Sequence, residues 1–209
     1  MKVLRTREGE RVVAVDGTGG FYEATLVEAS PKMCKLSIES EKKNYNPLLY
    51  ELHIGIAPTK SIDRFEWFLE KATEIGVSSI TPLLCERSER KILRPERLEK
   101  VVISAMKQSM KAYKPVIHPA MPFNAWLRND SADTRLIAHC IEGSKAKIWQ
   151  MDLSNSLSIS IGPEGDFSQE EVDMAQDSGY KEISLGDYRL RTETAGIVAC
   201  SAVFFNFNK

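Results

Sequence analysis

The sequence predicts an α/β protein, with a mostly parallel sheet covered by helices on both faces and a small all-β segment in front of it. Three observations carry that prediction. From Leu49 onward, short apolar runs alternate with longer segments of helical period, the pattern of successive strand–helix units. Before Leu49 the runs are strand-like only and are separated by glycine-rich turns. The 209 residues are 43% hydrophobic and 27% charged, ordinary for a folded chain of one large or two small domains. No apolar run approaches the roughly 18 residues of a membrane helix, and the N-terminus lacks the apolar core of a secretory signal. Cys34, Cys85, Cys140 and Cys200 form no CxxC pair, so neither a zinc site nor a disulfide framework is expected. A cytoplasmic protein without membrane association is the resulting expectation.

The elements follow in order. Arg11–Asp16 and Phe21–Val27 read as strands around the turn Gly17-Thr-Gly-Gly20, and a third strand runs from Lys32 to Glu39. This opening is a β meander or part of a small barrel. It ends in the polar stretch Ser40–Pro47, a linker that places the domain boundary at residue 48, with one domain over 1–48 and another over 49–209. Strands are predicted at Leu49–Ala57, Ser79–Leu84, Arg135–Cys140, Leu157–Ile161 and Glu182–Leu185. Helices are predicted at Ile62–Ile75, Pro95–Ala112, Pro122–Arg128, Ser168–Ser178 and Thr192–Phe207. Ser168 followed by Glu171 is a capping box, which fixes one helix start. The last helix is apolar almost all round, from Ala195 to Phe207, so it must be buried on several sides, inside the fold or against a second subunit.

Several chemistries are absent. There is no phosphate-binding GxxxxGK[ST] loop, no GxSxG elbow, and His53, His118 and His139 lack metalloprotease spacing. Asp16-Gly-Thr-Gly-Gly20 imitates a dinucleotide loop, but a strand follows it, so no helix N-terminus is there to receive a pyrophosphate. Two glycine-bearing loops remain, both just past strand carboxyl ends where α/β folds bind ligands. One is Gly162-Pro-Glu-Gly165-Asp-Phe-Ser168; the other runs from Ser184 through Gly186, Arg189 and Arg191 to Thr194, where Thr192 or a neighbour is placed to cap the last helix. Taken singly, each reads equally as a tight turn and a helix cap. Charge is uneven: residues 1–59 are neutral, 60–115 carry net +4 and 116–209 net −5, for −1 in all. The basic middle suits either phosphate contact or a solvated helix face laced with Glu89, Glu96 and Glu99.

Gly162-Pro-Glu-Gly-Asp-Phe-Ser168 together with Leu185-Gly-Asp-Tyr-Arg-Leu-Arg-Thr-Glu-Thr-Ala195 strongly resembles the RsmE family of 16S ribosomal RNA methyltransferases. Lys60-Ser-Ile-Asp-Arg64-Phe-Glu-Trp67, Lys71-Ala-Thr-Glu-Ile-Gly76, Glu86-Arg-Ser88 and Gln108-Ser109 match the same pattern, so the resemblance spans essentially the whole chain. It implies a SPOUT-type α/β domain whose C-terminal part threads a deep trefoil knot, a homodimer, and a PUA-like RNA-binding β-barrel at the N-terminus. The family has a further short segment before the stretch resembling Val3-Leu-Arg, so the resemblance implies a truncated barrel here. It also implies S-adenosylmethionine as cofactor, bound by Gly162 and Gly165 on one side and by Leu185, Gly186, Leu190 and Thr192 on the other. Asp166 departs from the family, where many members have a third glycine. Another departure is Met110-Lys-Ala-Tyr113, where many carry an arginine and Lys111 supplies the charge.

The reaction so implied is methyl transfer to N3 of a uridine, U1498 of 16S rRNA on the small ribosomal subunit. N3 lies on the pairing edge and carries a proton, so the base must be splayed out and the developing imide anion stabilised. Arg191 is the candidate for that stabilisation, and Glu193 or a water for the proton acceptor. Glu193 reads equally as an acidic first-turn residue favoured by the helix dipole. No metal is needed, because a sulfonium is already a good leaving group. With the resemblance in hand, Lys60, Arg64, Arg87, Arg90, Lys91, Gln108 and Lys111 become candidate RNA contacts. Two alternatives stand beside this reading: a methyltransferase of the same fold acting on another nucleotide or a ribose 2′-hydroxyl, and a noncatalytic RNA-binding assembly protein.

Overall fold

The computed structural model describes residues 6–30 and 33–208. These fold as two compact units that divide between residues 47 and 48, with residues 106–114 joining the first unit. The smaller unit is an antiparallel meander of β1 (Arg11–Val15), β2 (Phe21–Ala29) and β3 (Cys34–Lys42). Its first turn is closed by Asp16, whose carboxylate accepts from the amides of Thr18 (2.7 Å) and Gly20 (2.9 Å). Those amide bonds hold the Asp16 carboxyl down to about 2. The apparent dinucleotide loop is therefore a strand-to-strand turn.

Two expectations need correction in this unit. The third strand continues to Lys42, because Ser40, Glu41 and Lys42 pair with Glu23, Tyr22 and Phe21, so the proposed linker is shorter than Ser40–Pro47. Residues 106–114, assigned from sequence to the C-terminal domain, pack with the N-terminal unit. The Gly17–Gly20 turn docks on them through Gly19 N–H to Ala112 O (2.9 Å) and Lys114 N–H to Gly17 O (3.0 Å). Lys32 and the Val3-Leu-Arg stretch lie outside the described residues.

The larger unit is built on one sheet of β4 (Glu51–Ile56), β5 (Ser79–Leu84), β6 (Val116–Ile117), β7 (Met121–Pro122), β8 (Thr134–Ala138), β9 (Ala146–Lys147), β10 (Ser156–Ile161) and β11 (Lys181–Ser184). Its order is β6-β5-β4-β10-β8-β11-β9, with β7 against β5, and the pairs are parallel. β10 enters between β4 and β8, so the sheet centre is a switch in strand order. Such a switch opens a crevice at the strand carboxyl ends.

Helices cover both faces, as parallel sheets require. On one lie α1 (Ile62–Ile75) and α5 (Thr192–Phe207), with Phe65, Phe68, Ala199 and Val203 packed on Leu52, Ile54, Ile56 and Ile159; Leu98 and Val102 of α2 (Pro95–Ser109) join them. On the other lie α3 (Phe123–Asn129) and α4 (Gln169–Asp177), where Trp126, Leu127, Val172 and Ala175 pack on Leu83 and Ile137. α2 stops at Ser109, short of the expected Ala112, because Met110 takes left-handed backbone (φ 52°). Within this chain α5 buries one face only, through Gly196, Ala199, Cys200 and Val203, while Phe205 is 67% exposed. No helix among the described residues is long and apolar enough to cross a membrane.

Candidate active site

At the carboxyl edge of the sheet, the loops after β8, β10 and β11 border one cleft of about 700 Å³. That volume is in the range of small-molecule sites. The loop after β10 is the most heavily tied. Ser168 caps α4 by accepting from Glu171 N–H, and Glu171 Oε2 accepts in return from Ser168 N–H (3.0 Å). The other oxygen of buried Glu171 accepts from Glu86 N–H (2.8 Å), joining this capping box to the loop after β5. Arg87 of that loop donates to Gly165 O (3.0 Å) and Phe167 O (3.3 Å). Glu164 accepts from Lys60 N–H (2.8 Å) in the loop after β4.

Asp166 sits at φ 62°, a backbone region that favours glycine and that Asp and Asn tolerate better than other side chains. It accepts from its neighbour's amide, Phe167 N–H (2.9 Å), and from Cys140 N–H (2.7 Å), tying the β10 loop to the β8 loop. The Phe167 ring, fully buried beside Phe123, crowds the Cβ position of Gly162, where a Cβ would lie 3.0 Å from the ring and the ring would have to give by a few tenths of an ångström.

The two glycine loops meet. Thr192, the first residue of α5, donates its hydroxyl to Gly162 O at 3.0 Å. The sequence placed Thr192 or a neighbour as a helix cap; its oxygen is used instead to join the loops, and no side chain caps α5. Gly162, Leu185, Gly186, Leu190, Arg191 and Thr192 all line the cleft. Gly186 has φ 142° and a Cβ built on it would meet no atom within 4 Å, so this stretch of wall is bare backbone facing open space. Gly165 is not in the lining; its Cβ position faces Arg87 at 3.3 Å. Nor is Glu193, which is buried with Oε1 3.9 Å from Arg64 Nε and Oε2 without a hydrogen-bond partner.

The candidate RNA contacts are dispersed. Arg87 and Arg90 spend their guanidiniums on backbone carbonyls, Arg90 on Thr59 O (3.0 Å) and Lys60 O (2.6 Å). Lys60 pairs with Glu89 (2.9 Å), Arg64 faces Glu193, and Lys91 is exposed with no partner among the described residues. Gln108, exposed, and Lys111, half-buried with its ammonium pKa lowered by that burial, belong to the smaller unit. None of the seven lines the cleft.

Sequence reasoning missed His139, Lys145 and Tyr188 in the cleft wall, whereas Arg189, noted in the second glycine loop, also lines it. His139 lies within 2.6 Å of Glu182, and Lys145 donates to His139 O (2.7 Å); burial and Lys145 lower the His139 pKa. The signal for His139 and Lys145 was strand order, since β8 flanks the central β10, and order is not written in a local pattern; Tyr188 lies within the quoted 185–195 motif.

The comparisons agree along the whole chain. A model of an RNA methyltransferase domain matches residues 45–204, and a model of an RNA methyltransferase PUA domain matches residues 1–39. A relative from Mesomycoplasma hyopneumoniae (strain 232), ribosomal RNA small subunit methyltransferase E, is 31% identical over 85% of this chain and 78% of its own length. The crystal structure of a "probable rRNA-methyltransferase" from Porphyromonas gingivalis has a TM-score of 0.91 and 40% identity, covering 99% of this chain and 89% of that one. That of a ribosomal RNA small subunit methyltransferase E from Neisseria gonorrhoeae, bound to S-adenosyl methionine, has a TM-score of 0.88 and 28% identity over 99% and 87%. With its two glycine loops joined around one cleft and both models matched in series, the chain belongs to the ribosomal RNA small subunit methyltransferase E family.

Proposed function

We propose that this chain methylates N3 of an unpaired uridine in 16S rRNA, U1498 by family pattern, using S-adenosylmethionine held in the cleft at the carboxyl edge of the sheet. The hydrogen bond from Thr192 to Gly162 O carries the reading, because it makes the two loops one binding wall. The residues fit the donor: a cleft of about 700 Å³, apolar Leu185 and Leu190, and the bare backbone of Gly186. When bound, the donor supplies an activated methyl group on a positively charged sulfur. Leu185, Gly186, Leu190 and Thr192 would hold it together with Gly162. Gly165 contributes at one remove, through the carbonyl that Arg87 holds.

Arg191 lines the cleft and is exposed, and its guanidinium has no hydrogen-bond or ion-pair partner among the described residues. Its guanidinium stabilises the charge that develops on O2 or O4 as the N3 proton leaves. Water at the cleft mouth takes that proton; Glu193, off the cleft wall, holds Arg64 instead. In the same reading the segments after β10 and β11 form a deep trefoil knot. The exposed apolar side of α5 meets a second copy, the N-terminal unit is a PUA-like RNA-docking domain, and the enzyme works in the cytoplasm on the small ribosomal subunit. Of the candidate cations Lys60, Arg64, Arg87, Arg90 and Lys91, Lys91 is the one that is exposed and unpaired among the described residues, and it is assigned a phosphate.

The test is nucleoside mass spectrometry of 16S rRNA after incubating the protein and S-adenosylmethionine with small subunits from a strain lacking the modification. The expected product is 3-methyluridine. A 2′-O-methyl product would establish the same fold with another target, and no product despite donor binding would indicate a noncatalytic assembly protein.

A further inference from the structure

The loop from Ser184 to Thr192 carries groups that donor binding does not use. Tyr188 lines the cleft and is 88% exposed, more than any other large hydrophobic side chain among the described residues. Its hydroxyl has no partner among those residues. Arg189 and Arg191, on either side of half-buried Leu190, also line the cleft, are exposed, and are unpaired there. By contrast, Lys60, Arg64, Arg87 and Arg90 of the basic middle are all engaged by carboxylates or carbonyls. One aromatic face and two free planar cations within four residues have the composition of a single-stranded nucleic-acid platform.

Geometry favours a base over a protein partner. A nucleobase withdrawn from RNA loses its stacking neighbours and regains one on an aromatic ring. The lone pair that N3 offers lies in the ring plane. Stacking occupies a face of the pyrimidine and leaves its N3 edge free to point into the cleft. We infer that Tyr188 is the stacking platform for the target base, with Arg189 holding an adjoining phosphate. The inference rests on the reading of the cleft as the methyl-donor site.

The test compares Tyr188→Phe, Tyr188→Leu, Tyr188→Ala and Arg189→Ala with wild type, measuring KM and kcat for unmodified small subunits and, separately, donor affinity by calorimetry. Leu and Ala at 188 raise the RNA KM about tenfold or more, in line with base–aromatic stacking, while donor affinity stays at the wild-type value. Phe, which keeps the face, restores the RNA KM toward wild type. Arg189→Ala raises the RNA KM and flattens its salt dependence. An RNA KM for Tyr188→Leu equal to wild type overturns the platform and leaves the donor site standing. So does a Tyr188→Ala variant that changes the association state with the RNA KM unmoved. Absence of donor binding by the wild-type protein removes the cleft reading, and the platform with it.

Discussion

Asp166 shows how one side chain offsets an unfavourable backbone. At φ 62° a glycine would be the easier residue, yet Asp166 contributes two amide hydrogen bonds that glycine cannot make, one of them to the β8 loop. A second residue-scale effect concerns pH. His53 packs its ring edge-on to Trp126 (4.5 Å), lies 5.1 Å from the His118 ring, and is bonded through Nε2 to Thr81 Oγ1 (2.7 Å). Burial and His118 lower its pKa to about 4 from 6.5, with Asp130 opposing. Above pH 6.5 both folded and unfolded chains hold it neutral, so it costs nothing. As pH falls from 6.5 toward 4 the unfolded chain takes up a proton that the folded chain refuses, and stability declines by roughly 2 kcal/mol at pH 4.5. Urea midpoints at pH 7.5 and 4.5 should show this loss, and His53→Gln should reduce it. An equal loss in the variant would exclude His53 as a source.

At the scale of elements, the loop after β10 is a hub gripped from four directions: Arg87 after β5, Lys60 N–H after β4, Cys140 N–H after β8 and Thr192 at the start of α5. Its shape is set by long-range contacts rather than by its own sequence. Arg87→Ala should therefore weaken S-adenosylmethionine binding about three- to tenfold, the scale of a charged hydrogen bond near solvent, with a smaller change in RNA KM. Calorimetry and steady-state kinetics separate the two. A raised RNA KM with unchanged donor affinity would instead return Arg87 to phosphate contact.

Local pattern made α1, α5 and β5 legible, because amphipathic period, a helix-opening loop and a short mostly apolar run each announce their own ends. The capping box at Ser168 was legible for the same reason, but the second use of Glu171, on Glu86 N–H, was not. Strands of two residues, such as Val116–Ile117 and Ala146–Lys147, carry too little pattern to read. Arg87 and Arg90 look like free cations in sequence; only the fold shows which carbonyls they satisfy.

For the molecule as a whole, the decisive feature is the insertion of β10 between β4 and β8. It gathers the loops after β8, β10 and β11 at one edge of the sheet and opens the cleft there. The family resemblance located the two glycine loops, and the sheet order accounts physically for their meeting. The most direct measurement is a crystal structure of this protein grown with saturating S-adenosylmethionine. The account predicts the donor between residues 162–168 and 185–192, its methyl directed to the side where Tyr188 and Arg191 stand. A donor bound elsewhere, with the Thr192–Gly162 contact intact and nothing between the loops, would contradict it.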